Sequence, residues 1–161
     1  MAASEIKAKF SASAKGTINV SALATNTVRQ STMIDNTTDK YQLIHVYCKV
    51  TTGTSPTAGR NVFLYAITGD KHATPFRTDG AGASDAAWTT TNGPPIIASK
   101  GTSSSSNQVV YLYGKIFNPG PEWGIGIEHT TAVNLKTESG SAAPDGTDHW
   151  FHWVGENPEN Q

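Results

Sequence analysis

Two stretches of strict alternation decide what this chain can fold into. In Tyr41-Gln-Leu-Ile-His-Val-Tyr-Cys-Lys-Val50, the residues Ile44, Val46, Cys48 and Val50 stand two apart. In Asn61-Val-Phe-Leu-Tyr-Ala-Ile67, Val62, Leu64 and Ala66 do the same. A period of two puts each set on one face of an extended strand and would scatter it around a helix. The pattern returns at Gln108–Phe117, where Val110, Leu112 and Ile116 share a face. It returns again where Trp123, Ile125 and Ile127 alternate with Gly124, Gly126 and Glu128. Those glycines mark a strand that something packs closely against. No segment carries the helical pattern of about 10–15 residues that a parallel α/β sheet needs. The expectation is an all-β antiparallel β-sandwich. Short turns alternating with long crossings favour a jelly-roll or other Greek-key order.

The remaining segments follow from their composition. Residues 1–16 read as an N-terminal arm, dotted with Lys, with Ile6 and Phe10 as its large apolar groups. Residues 17–155 read as the β-sandwich domain and residues 156–161 as an acidic tail. Beyond the four runs above, strands are expected at about 17–23, 95–99 and 149–155. Arg29–Asp39, residues 69–94 and residues 134–147 read as polar connections. The four consecutive serines between Lys100 and Asn107 read as a flexible tip.

At 161 residues the chain suits one domain with a real core. Charged residues are only 16%, and 21 Thr and 14 Ser take their place. Thr is β-branched and suits a half-wet pleated surface. A neutral, Thr-rich, strand-patterned surface fits an adhesive, carbohydrate-facing or virion protein better than a cytosolic enzyme. The net charge of −1 gives no bulk attraction to nucleic acid or to a membrane. The charge is unevenly spread, however. Residues 1–60 hold seven Lys/Arg against three Asp/Glu, and residues 102–161 hold two against seven. Such a split would steer a head-to-tail or partner contact that weakens with salt. Cys48 is the lone cysteine, so no intrachain disulfide forms, and it reads as a small buried hydrophobe. The first residues lack the apolar run of a signal peptide, and no apolar run is long enough to span a membrane. Synthesis in a cytoplasm without a standard export route is the corresponding expectation.

Candidate chemistry is sparse. Of the five histidines, His149 and His152 are closest, but three residues apart on a strand they point to opposite faces. No metal site is expected from them. Thr78-Asp-Gly-Ala-Gly-Ala-Ser-Asp85 faintly echoes a calcium loop but lacks its density of carboxylates. Neither a nucleophile motif, a phosphate-binding loop nor a paired-carboxylate arrangement stands out, so enzyme activity is not expected. The aromatics carry more information. His149-Trp-Phe-His-Trp153 places Trp150 and His152 on one strand face and Phe151 and Trp153 on the other. One set is expected in the core and the other against the chain's own loop or another subunit, where Trp is over-represented at hot spots. Trp88 and Trp123 could instead form a platform for stacking sugars.

Arg29-Gln-Ser-Thr-Met-Ile-Asp-Asn-Thr-Thr38, Tyr41–Val50 and Pro56-Thr-Ala-Gly-Arg-Asn-Val-Phe-Leu-Tyr-Ala66 follow one another in an order with its own likeness. With Arg77-Thr-Asp-Gly-Ala-Gly-Ala-Ser-Asp-Ala-Ala87 and Pro121-Glu-Trp-Gly-Ile-Gly-Ile-Glu128, this series resembles a group of small structural proteins of tailed bacteriophages. The likeness covers about residues 20–130 and leaves out the arm and the last strand. It implies a β-sandwich virion component without a cofactor, most simply a capsid decoration (cement) protein. Its partners would be the major capsid protein, other virion proteins and further copies of itself. Trp150 and Trp153, with Ile6, Lys7, Lys9, Phe10 and Lys15 of the arm, are the expected contact residues. A tail, fibre-base or adaptor component, or a module that binds a bacterial surface glycan through Trp88 and Trp123, are the alternatives.

Overall fold

A computed structural model describes residues 6–71, 80, 82–88, 94–139 and 146–160. These residues form eleven strands: β1 (Ile6–Phe10), β2 (Ala14–Gly16), β3 (Val28–Gln30), β4 (Ile34–Asp35), β5 (Leu43–Thr51), β6 (Asn61–Gly69), β7 (Ala86–Trp88), β8 (Ile96–Gly101), β9 (Val109–Phe117), β10 (Glu122–His129) and β11 (Trp150–Asn160). They build two sheets. Sheet I has five strands in the order β1-β11-β5-β9, with β2 also on β11. Sheet II has six in the order β7-β3-β10-β6-β8, with β4 also on β10. Every pairing is antiparallel. The steps from β5 to β6, β8 to β9, β9 to β10 and β10 to β11 each cross between the sheets. The described residues contain no helix, hence none long and apolar enough to cross a membrane.

The alternation in the sequence becomes the core directly. Ile44, Val46, Cys48 and Val50 of β5 meet Val62, Leu64 and Ala66 of β6 between the sheets. Val110, Leu112 and Ile116 of β9, Trp123, Ile125 and Ile127 of β10, and Phe151 of β11 complete the layer. Each fully buried side chain of this size contributes about 1.5–3 kcal/mol relative to exposure. Burial also pushes the Cys48 thiol up to about 12, which leaves it an inert packing group.

The structure departs from expectation where backbone pairing, not apolar pattern, makes the strand. Thr17–Leu23 is not a strand. Ile18 and Val20 do reach the core, but the chain then turns, with Ala22 at φ 52°. Thr17 C=O accepts from Thr32 N–H and Val20 C=O from Leu23 N–H. The segment read as an arm instead supplies β1 and β2, both paired with β11. Because β1 offers it a ladder, β11 continues through the stretch read as an acidic tail. The basic and acidic ends therefore meet within one chain, and Lys9 Nζ lies 3.3 Å from Glu159 Oε1. An exposed pair of this kind contributes at most about 1 kcal/mol.

The two sheets differ on their outer faces. Sheet II is covered by its own chain. Trp88 of β7 lies over Gly126, where an added Cβ would come within 2.9 Å of the indole ring. Met33 and Ser31 crowd Gly124 in the same way. Val28, Tyr65, Ile67 and Trp88 form a second apolar cluster there, with Met33 and Phe63 against it. The close packing that the two glycines imply is thus this cover. Sheet I has no comparable cover among the described residues.

Candidate functional site

The register of sheet I lines up its outer side chains in rungs across three strands. Trp150 of β11 stands beside Lys49 of β5, and Lys49 beside Tyr111 of β9. The next rung is His152, Tyr47 and Tyr113, followed by Val154, His45 and Lys115. The last is Glu156, Leu43 and Phe117. Beyond β11, Lys15 of β2 pairs with His152, and Phe10 of β1 pairs with Glu156. An outer sheet face is normally polar. Here Phe117 is 71% exposed, Tyr111 57%, Phe10 57%, Tyr113 47% and Tyr47 43%. Trp150 and His152 are half-buried against each other, their rings stacked at 4.6 Å.

These rings hold one another in place. Tyr47 and Tyr113 lie 5.0 Å apart, Tyr111 and Trp150 6.3 Å, and Phe10 and His45 5.8 Å. His45 ties three strands together. Its Nδ1 lies 2.7 Å from Tyr113 Oη, and its Nε2 lies 2.7 Å from Glu156 Oε2. With both ring nitrogens engaged, the imidazole cannot turn without breaking a hydrogen bond. Lys49 donates to Thr147 C=O at 2.6 Å and reaches over the end of the sheet. The face is therefore a rigid array of large rings with Lys15, Lys49, Lys115 and Glu156 set among them. Rigid aromatics lose little rotamer entropy on contact and make good anchors. The lower end opens into a groove of about 370 Å³, lined by Lys7, Leu43, Phe117 and Glu156 among others.

The residues nominated from sequence separate into several places. Trp150 lies on this face. Phe10 joins it from β1, and Lys15 from β2. Lys7 and Lys9 take the alternate positions of β1, opposite Glu159 and Asn157. Ile6 pairs with Asn160 through its backbone. Trp153 points the other way, edge-on to Trp123 at 5.2 Å and to Tyr41 at 5.9 Å. Trp88 and Trp123 are both buried, so neither presents a ring on which a sugar could stack. Tyr47, Tyr111, Tyr113 and Phe117 of this face carry no motif of their own in the sequence. Their signal was present as the second phase of the alternating runs whose first phase fills the core.

The remaining candidates are structural. His149 accepts from Thr51 N–H through Nδ1 at 3.3 Å and lies 2.7 Å from Lys136 C=O through Nε2. His129 lies between Thr131 Oγ1 and Leu23 C=O, 2.9 Å from each. Burial holds both imidazoles below their ordinary pKa. Asp148 is held low by the Lys136 ammonium, 2.8 Å away. Asp85 binds Arg29 at 2.6 Å and accepts from Asn19 N–H at 2.8 Å. That shapes its loop, while Thr78, Asp79 and His72 lie outside the described residues. No cluster of three metal-ligating side chains occurs among the described residues. Comparison with protein-family models, with curated proteins and with solved structures finds no match to this chain.

Proposed function

We propose that this chain is a structural protein of a bacteriophage virion, a decoration protein that attaches to the assembled shell through the aromatic face of sheet I. The observation that carries the reading is the exposed ring array of Tyr47, Tyr111, Tyr113, Phe117 and Phe10 on an otherwise ordinary sandwich. Contiguous exposed apolar surface on a small protein marks a place where something binds. The phage-like motifs in the sequence support the choice of partner. Binding the assembled shell in preference to free subunits would stabilise the particle by mass action, with no chemistry required. The partner surface on the major capsid protein or another virion protein would offer apolar ridges for the rings and carboxylates for Lys15, Lys49 and Lys115.

Two measurements test this. Antibody against the chain should label shell faces or vertices of particles in electron micrographs. Label confined to the tail would move the chain to a tail or adaptor role. Unlabelled particles, together with binding on a glycan array, would make the ring array a sugar platform instead. Trp150→Ala should leave the circular dichroism spectrum unchanged and weaken co-sedimentation with particles about 30-fold, a cost of about 2 kcal/mol. Unchanged co-sedimentation would remove this face as the attachment surface.

A further inference from the structure

We infer that β9 pairs edge to edge with β9 of a second copy, joining two sheets I across a two-fold axis. This goes beyond shell attachment and does not depend on it. The strand is the free end of sheet I, bonded on one side to β5. At one end of the pair, Thr52 N–H donates to Gln108 C=O at 2.9 Å, and at the other, Asn118 N–H donates to Gln42 C=O at 2.8 Å. Bonded positions alternate along an antiparallel ladder. The even-numbered residues of β9 therefore direct their N–H and C=O to β5. Those of Val109, Tyr111, Tyr113, Lys115 and Phe117 point outward, and no described group bonds them.

Proteins blunt open edges with charge, proline, bulges or short length. The other described edges carry such devices; β9 has none in its own sequence beyond the single Lys115, and β8 of sheet II, which lies close to it with Ile97 packed over Gly114 on the core side, makes no backbone bond to it. At the far side of sheet I, β1 is five residues long and carries Lys7 and Lys9. In sheet II, β7 has three residues. β8 follows Pro94 and Pro95, carries Lys100, and breaks register against β6 at Leu64/Tyr65. By contrast β9 is nine residues of Val-Val-Tyr-Leu-Tyr-Gly-Lys-Ile-Phe with one charge and no proline.

The sequence of β9 is also complementary to itself. Centred on Tyr113, a two-fold pairing sets Tyr113 against Tyr113 of the second copy. Tyr111 then meets Lys115, and Val109 meets Phe117. All five are outward-bonding positions, so each pair can exchange both hydrogen bonds. The one charge of the strand, Lys115, meets an aromatic ring rather than its own copy, an attractive arrangement for a cation. Such an isologous contact uses up the open edge of both copies and closes. It also places two aromatic faces side by side in one continuous surface.

Sedimentation equilibrium on the full chain tests the pairing, and a dimer is expected. Tyr113→Cys should cross-link under mild oxidation, because bonded antiparallel partners sit about 5.5 Å apart at Cα, within disulfide reach. The buried Cys48 would not compete. Tyr113→Lys sets two like charges on the axis and should give a folded monomer. Tyr113→Pro removes an outward N–H, which an edge strand tolerates, and should do the same. A wild-type chain that stays monomeric up to its solubility limit would overturn the inference. So would a dimer that survives Tyr113→Lys and fails to cross-link through Tyr113→Cys.

Discussion

Gly16 faces Phe151 across the β2–β11 ladder, and a Cβ added there would fall 1.7 Å from Phe151 Cζ. The ring is fully buried, so a Cβ at Gly16 forces it to shift within the core. Gly16→Ala should therefore lower the urea midpoint by the equivalent of about 1–3 kcal/mol, the usual cost of overpacking. An unchanged midpoint would show that Phe151 can repack. His129 and His149 set a different dependence. Burial depresses both below the ordinary value of 6.5, so the unfolded chain takes up protons first as pH falls. Their contribution to stability is complete above that value and is lost as pH falls from it toward the depressed values. A urea midpoint that falls as the pH drops below about 6.5 is expected, and His149→Gln should flatten part of the fall. A flat wild-type profile would rule it out. At this scale the sequence was readable wherever a residue's role followed from its type. Cys48 as packing and His149 apart from His152 are such cases. Trp123 and Trp88 were not, because burial depends on what lies above a ring, and that is decided elsewhere in the chain.

Strands that bury an apolar row were legible. β5, β6, β9 and β10 each begin and end within two residues of the alternating runs in the sequence, because the row of Ile, Val and Leu is itself the reason for the strand. Strands held by the ladder alone were not. β1 and β2 look like a polar arm because an edge strand needs only backbone partners. β11 runs on through Glu156–Asn160 because β1 is there to receive it. This interdependence is testable. Deleting residues 2–12 removes β1 and the Ser11–Gly155 bonds, 2.8 Å between backbones and 2.9 Å through Ser11 Oγ. Hydrogen exchange should then accelerate at the amides of Gly155–Asn160 that face β1, with β5 and β9 unaffected. Protection that persists at Gly155–Asn160 would mean that β1 is not docked on β11.

At the scale of the whole molecule, the fold class was legible and the candidate site only half so. Alternation separates an inner face from an outer one for each strand, which is enough to place an all-β sandwich. It does not say which outer face the chain will cover with its own loops. Sheet II receives Trp88 and Met33, and sheet I keeps its tyrosines in the open. That asymmetry comes from long-range packing, and no short window of sequence contains it. The position of β11 has a consequence in time. It is the last of the eleven strands to be synthesised, yet it lies in the middle of sheet I, between β1 and β5. Until β11 has been made, β5 has one neighbour, β1 has none, and the core lacks Phe151. The two halves of each rung, one on β11 and the other on β5 and β9, do not yet share a surface. Pairings this distant along the chain form late. Tyr47, Tyr111, Tyr113 and Phe117 share β5 and β9 before that point, but Trp150, His152 and the Glu156 partner of His45 join them only with β11, so a chain released before that strand presents an incomplete array.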